Sequence, residues 1–161
     1  MDSSNDQEED EADVYCRHLL FCRTVWLDAT RTDDGFSLGK SLIQLGPADG
    51  GEYPLVLDRI FAYTQLHGRS GEQTVRLRLV RIPDDEDDEE IQLGKAGAPR
   101  EYGPWDIELI GEEFVESFAF PVVRVRFDDP GVYEFQLRLD SLPTPVGRER
   151  LLLRRVPHDD N

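Results

Sequence analysis

Cysteine is almost missing from this chain of 161 residues, which holds only Cys16 and Cys22. Along an extended strand the two would lie roughly 20 Å apart, whereas a disulfide needs Cα atoms about 4.4 to 6.8 Å apart. They are therefore not expected to bond to each other, and two reduced thiols fit a cytoplasmic location. Lysine is equally scarce: only Lys40 and Lys95 stand among the 18 basic residues, the others being Arg. Long apolar runs are lacking too, and none approaches the roughly 18 residues that a membrane-spanning helix requires. The first thirteen residues contain no Lys or Arg and no apolar stretch, which is the reverse of a signal peptide. With a formal net charge of −16, the chain also lacks the cationic surplus that phosphate binding rewards, so nucleic acid is not an expected partner.

What is present is negative charge in three places. Residues 1–13 carry seven acids, residues 84–90 are seven consecutive acids, and Asp159 and Asp160 complete the excess. The remaining body balances its acids against its arginines. This partition predicts a single domain over residues 14–157, flanked by acidic tails at 1–13 and 158–161 that are too polar and like-charged to fold alone. The run at 84–90 then reads as a solvated hairpin loop protruding from the domain.

Within the body the hydrophobic period is mostly two. Residues 74–82 place Val75, Leu77 and Leu79 on one face with Arg76 and Arg78 on the other, and residues 132–139 set Tyr133, Phe135, Leu137 and Leu139 against Glu134, Gln136 and Arg138. Residues 14–27 read as one long strand. Further strands are expected at 55–66, 91–93, 104–109, 115–127 and 148–156, with Pro121 marking a bulge or an edge. One stretch departs from this rhythm. Leu38, Leu42 and Leu45 recur at helical spacing, with Asp33 or Asp34 as N-cap and Gly46 as stop, and predict one short helix. The expected fold is mostly β, a two-sheet antiparallel sandwich of immunoglobulin-like or C2-like kind with that helix added.

Asp129, Gly131 and Tyr133, in the segment DPGVYEF, resemble the Asp-x-Gly-x-Tyr-x-Cys pattern of immunoglobulin-like domains, with Phe135 at the Cys position. The resemblance implies a structural corner in which the Tyr hydroxyl bonds to nearby backbone; the paired cysteines and their packing Trp are missing. More broadly, TVRLRLVRI, EFVESFAFPVVRVRF, PGVYEFQL and RERLLLR are similar to a family of small uncharacterised bacterial proteins found mainly in planctomycetes. That resemblance covers residues 16–156. It implies a bacterial β-sandwich and carries no catalytic residue with it.

Three constellations bear chemistry. Cys16, His18 and Cys22 share strand parity and form a weak zinc candidate, weak because a ligand six residues away needs a fold-back to join the other two. The acid run at 84–90 invites a calcium reading, but it lacks the glycine and the alternation of a calcium loop. Arg76, Arg78, Arg124, Arg126 and Arg138 sit on outward strand positions and form a candidate anion patch, unless acids such as Glu134 and Glu108 interleave with them. Gly39, Lys40 and Ser41 echo a phosphate loop without its first glycine or preceding strand. No nucleophile and base can be paired, so no catalytic residue and no cofactor is expected.

The composition and patterning thus lean away from an enzyme. They favour a non-enzymatic module of a bacterial cytoplasm that binds a protein or a basic peptide through loops at one sheet end or through an edge strand. The competing readings are a zinc- or calcium-dependent binder or enzyme, and a structural subunit that self-associates. Monomer and homodimer both fit.

Overall fold

The computed structural model describes residues 14–27, 36–39, 41–42, 44–47, 51–83 and 100–155. In chain order the strands are β1 (Tyr15–Cys22), β2 (Val25–Leu27), β3 (Phe36–Leu38), β4 (Gln44–Leu45), β5 (Leu55–His67), β6 (Gly71–Ile82), β7 (Arg100–Leu109), β8 (Glu116–Phe127), β9 (Gly131–Leu139) and β10 (Gly147–Leu153). They form a three-stranded sheet in the order β1-β5-β8, a five-stranded sheet in the order β4-β10-β9-β6-β7, and a separate β2-β3 pair. The pairings are antiparallel except that β4 runs parallel to β10. Among the described residues no helix is long and apolar enough to cross a membrane.

Alternation explains the layers. Val75, Leu77 and Leu79 of β6 are wholly buried, as are Phe135 and Leu137 of β9, while the residues between them turn to the opposite face. Ile60, Ala62 and Leu66 of β5 and Phe120, Val122, Val125 and Phe127 of β8 supply the other wall of one shared apolar core. Aromatic pairs cross between the two sheets: Phe21 stacks on Phe135 at 4.2 Å, Trp105 stacks on Phe120 at 4.8 Å, and Phe127 meets Tyr133 edge-on at 5.0 Å. Each fully buried Leu or Phe contributes about 1.5–3 kcal/mol relative to exposure, so this cluster dominates the stability of the fold.

Two expectations are corrected. Residues 14–27 are two strands, not one, because the chain bends at Arg23 between β1 and β2. The helix expected over residues 36–45 is not found among the described residues there, which instead contribute β3 and β4. The backbone groups that a helix would satisfy internally are taken by neighbours. Gly39 N donates to the Thr24 carbonyl at 2.9 Å, Leu42 N to the Phe21 carbonyl at 2.7 Å, and the Leu45 carbonyl accepts from Arg154 N at 2.8 Å. Leu42 and Leu45 still reach the core. Their spacing suits a helix face, but tertiary pairing overrides so weak a local preference. The acid run at 84–90, the strand expected at 91–93 and both acidic tails lie outside the described residues; the described strand that returns beside β6 is β7.

The edge strands of the two larger sheets are interrupted or short. β1 has a bulge at Arg17, where the register steps from Cys16 opposite Leu66 to His18 opposite Gln65. β7 carries Gly103 at φ +98° and then Pro104 where its register with β6 shifts. β8 places Pro121 opposite Phe61 and turns through Arg124 at φ +54°, after which its inward positions change parity from Phe120 and Val122 to Val125 and Phe127. β4 is only two residues long. Interrupted or short edges of this kind discourage pairing with a second sheet.

Candidate functional site

One end of the molecule gathers four of the seven large apolar side chains exposed among the described residues. Register places the turn at 68–70, the loop at 110–115 and the loop at 140–146 at that end, since Gly71 pairs with Leu109, Leu66 with Glu116, and Val75 with Leu139. The loop between β7 and β8 closes with a turn in which Phe114 N donates to the Gly111 carbonyl at 3.2 Å, and Ile110 N donates to Glu116 Oε2 at 3.3 Å. This geometry leaves Ile110 65%, Phe114 54% and Val115 42% exposed. Tyr15, 55% exposed at the start of β1, lies at the same end, its ring stacked on His67 at 5.4 Å. Glu112 and Glu113 fall between the apolar residues, with Glu108 and Glu116 on the flanking strands. Exposed apolar side chains with acids beside them are the kind of surface that a candidate recognition site presents.

The outer face of the five-stranded sheet is polar and more organised than alternation implies. Glu134, on the central strand β9, is only 4% exposed. Its carboxylate accepts from Arg148 Nη1 at 2.9 Å, from Gln136 Nε2 at 3.0 Å and from Arg150 Nε at 3.3 Å. Burial alone would raise its pKa, but these three bonds outweigh it and hold the carboxyl below its ordinary value. On β6 and β9, Arg76 stands directly opposite Arg138 and Arg78 opposite Gln136. Arg76 Nε donates to Asp140 Oδ1 at 2.9 Å, Arg138 Nη2 to the Pro143 carbonyl at 3.3 Å, and the buried Nε of Arg78 has no hydrogen-bond partner. Beside them lies an open hollow of about 310 Å³ lined by Arg76, Glu101, Arg138, Leu139, Asp140 and Leu142.

The anion-patch residues named from the sequence therefore divide. Arg76, Arg78 and Arg138 share the outer face of the five-stranded sheet, whereas Arg124 and Arg126 are exposed on β8 of the other sheet. Arg126 Nε donates to Asp128 Oδ1 at 2.6 Å, and Arg100 Nη2 to Asp128 Oδ2 at 2.7 Å. Those bonds, the one from Arg126 foremost, lower the Asp128 pKa. Arg148 and Arg150 escaped the sequence reading; their alternation in RERLLL was the available signal. The Ile110, Phe114 and Val115 loop escaped it too, because apolar residues beside a Gly-Glu-Glu turn read equally well as strand ends.

Cys16, His18 and Cys22 do not converge. The Arg17 bulge breaks their shared parity: Cys16 packs against the core, while His18 is exposed. Cys22 pairs with Phe61, five residues along β5 from the Leu66 opposite Cys16, a separation of about 17 Å. Both thiols are free. Burial raises both thiol pKa values, partly offset at Cys16 by bonds to Thr64 and to the His18 carbonyl. Among the described residues no three His, Cys, Asp or Glu side chains are grouped to hold a metal ion.

The corner residues do meet. Tyr133 Oη donates to the Asp129 carbonyl at 2.7 Å. Between them Gly131 adopts φ +144°, and a Cβ there would approach the Arg81 guanidinium to 3.1 Å, so both conformation and space favour glycine.

No protein-family model matches this chain, and no curated protein is significantly similar to it.

Proposed function

We propose that the chain is an immunoglobulin-like β-sandwich that acts as a non-enzymatic protein-binding module in a bacterial cytoplasm. Strand order supports the fold reading. The β1-β5-β8 sheet corresponds to strands A, B and E of immunoglobulin-like domains, and β10-β9-β6-β7 to G, F, C and C′. The Tyr133 to Asp129 bond falls on β9, the strand that carries the tyrosine corner in that fold. Free thiols at Cys16 and Cys22 suit a reducing compartment.

The observation that carries the binding reading is the exposed trio Ile110, Phe114 and Val115, set among Glu108, Glu112, Glu113 and Glu116 at the loop end of the sandwich. The partner of matching chemistry is a protein with an apolar groove and a basic rim. Aromatic and aliphatic anchors would supply the affinity, and the acids would supply orientation and on-rate. Edge pairing with a second copy through β1, β7 or β8 is disfavoured, because those edges are broken by the Arg17 bulge, Pro104 and Pro121.

Affinity capture from cells of the source organism tests this, with wild type beside I110S/F114S and a V56S/V123S control, all matched for melting temperature. A defined partner held by wild type and control but lost from the loop variant is expected. Retention by the loop variant, or equal loss from both variants, overturns the reading.

A further inference from the structure

The outer face of the five-stranded sheet reaches the loop end at the 140–146 loop rather than at the 110–115 loop just assigned, and it carries five guanidinium groups on three adjacent strands: Arg76, Arg78, Arg138, Arg148 and Arg150. Register sets Arg148, Gln136 and Arg78 in one row across the sheet, with Arg138 opposite Arg76 in the next. Like charges directly opposite one another on a sheet repel. Local carboxylates relieve only part of this. Glu134 serves Arg148 and Arg150, and Asp140 serves Arg76. Arg138 meets only a carbonyl at 3.3 Å, and the buried Nε of Arg78 meets no acceptor, although Glu101 is its cross-strand neighbour. The hollow of about 310 Å³ opens beside these residues.

We propose that this face binds an acidic segment of a partner protein, whose Asp or Glu carboxylates pair with Arg78 and with Arg138, the latter lining the hollow together with Leu142. Guanidinium groups take carboxylates through paired hydrogen bonds, and a desolvated donor without an acceptor gains most from one. Arg76 and Arg78 sit two residues apart on one strand, roughly 6.6 Å, which is also the spacing of alternate side chains on an extended peptide. Single-stranded nucleic acid is the poorer fit, because the outward positions around the arginines, Val80, Glu134 and Gln136, offer no aromatic ring on which a base could stack.

The test is fluorescence anisotropy with labelled hexaglutamate as the probe and labelled octathymidylate as the comparison, using the full chain. A second chain, with the seven acids of residues 84–90 changed to their amides, removes a tethered competitor. Hexaglutamate is expected to bind at low ionic strength and to weaken about tenfold when salt is raised to roughly 0.2 M. R78Q and R138Q are each expected to weaken it about tenfold, while R17Q, on the other sheet, leaves it unchanged. Melting temperatures of the three variants report on folding separately. The proposal falls if hexaglutamate binds neither chain at low salt, if R78Q and R138Q bind like wild type, or if octathymidylate binds more tightly with the same arginine dependence.

Discussion

Gly147, the first residue of β10, lies against Cys16 of β1: a Cβ added at Gly147 would come within 2.9 Å of the Cys16 sulfur. The two strands belong to different sheets, so this contact is where the layers approach along one side. The Cys16 sulfur is also in contact with the hydroxyl of the buried Thr64 at 3.2 Å, while that hydroxyl donates to the His18 carbonyl at 2.8 Å. The thiol is thus held and has little room to retreat.

G147A is therefore expected to destabilise the protein by about 1–3 kcal/mol, the usual cost of overpacking. C16A/G147A should recover most of that loss, since the alanine at position 16 lacks the sulfur. Urea denaturation of the two single variants and the double variant measures the coupling. Additive losses would place the strain elsewhere.

Removing the Tyr133 hydroxyl leaves the Asp129 carbonyl without its partner across the corner. Y133F should cost about 0.5–1.5 kcal/mol, because the ring still fills its place against Phe127 and only the hydrogen bond is lost. Thermal unfolding should register this as a fall of a few degrees, at about 2–4 °C per kcal/mol for a domain of this size.

Two carboxyls on adjacent strands respond to acid in opposite senses. Glu134 titrates below the ordinary 4.5, so its contribution is present above that pH and is lost as pH falls through its lower folded value. Glu149 is raised by burial, so its contribution is present below 4.5 and is lost as pH rises through its higher folded value. At pH near 7, E134Q should therefore be less stable than wild type, by about 1–2 kcal/mol. E149Q should be more stable by a smaller margin. As pH falls, the Glu149 difference should vanish first, through its raised value toward 4.5, and the Glu134 difference should shrink only below 4.5. Melting curves recorded across that range check the sign of each.

Pro121 lies within the edge strand β8, opposite Phe61. Its ring nitrogen cannot donate, and proline occurs within strands where that nitrogen faces away from the paired neighbour. P121T restores a donor on the open side. Light scattering should then show self-association growing with concentration, which wild type should not show.

Much of the architecture is legible because dyad alternation survives in β6 and β9, whose inward residues can be read directly from the order of apolar and charged side chains. The corner at Asp129, Gly131 and Tyr133 is local in sequence, so its motif is visible as well. Other features depend on partners far along the chain. Leu38, Leu42 and Leu45 satisfy a helical spacing, and nothing local reveals that Thr24 and Phe21 supply the hydrogen-bond partners that draw this stretch out straight. The bulge at Arg17 shifts one residue, which is enough to part His18 from Cys16, and no composition signal marks it. The outer face was half readable: its arginines follow from alternation, but the burial of Glu134 beneath Arg148 and Arg150 depends on the neighbouring strand.

The parallel pairing of Gln44–Leu45 with Leu152–Leu153 has a consequence for biosynthesis. A ribosome releases the early strand long before its companion, so one side of the larger sheet stays unfinished until β10 emerges. Closure of the domain is then a late event that spans more than a hundred residues of chain. A nascent chain stalled before β10 would present β9 with an open flank, and chaperones or stray β-strands would find it there.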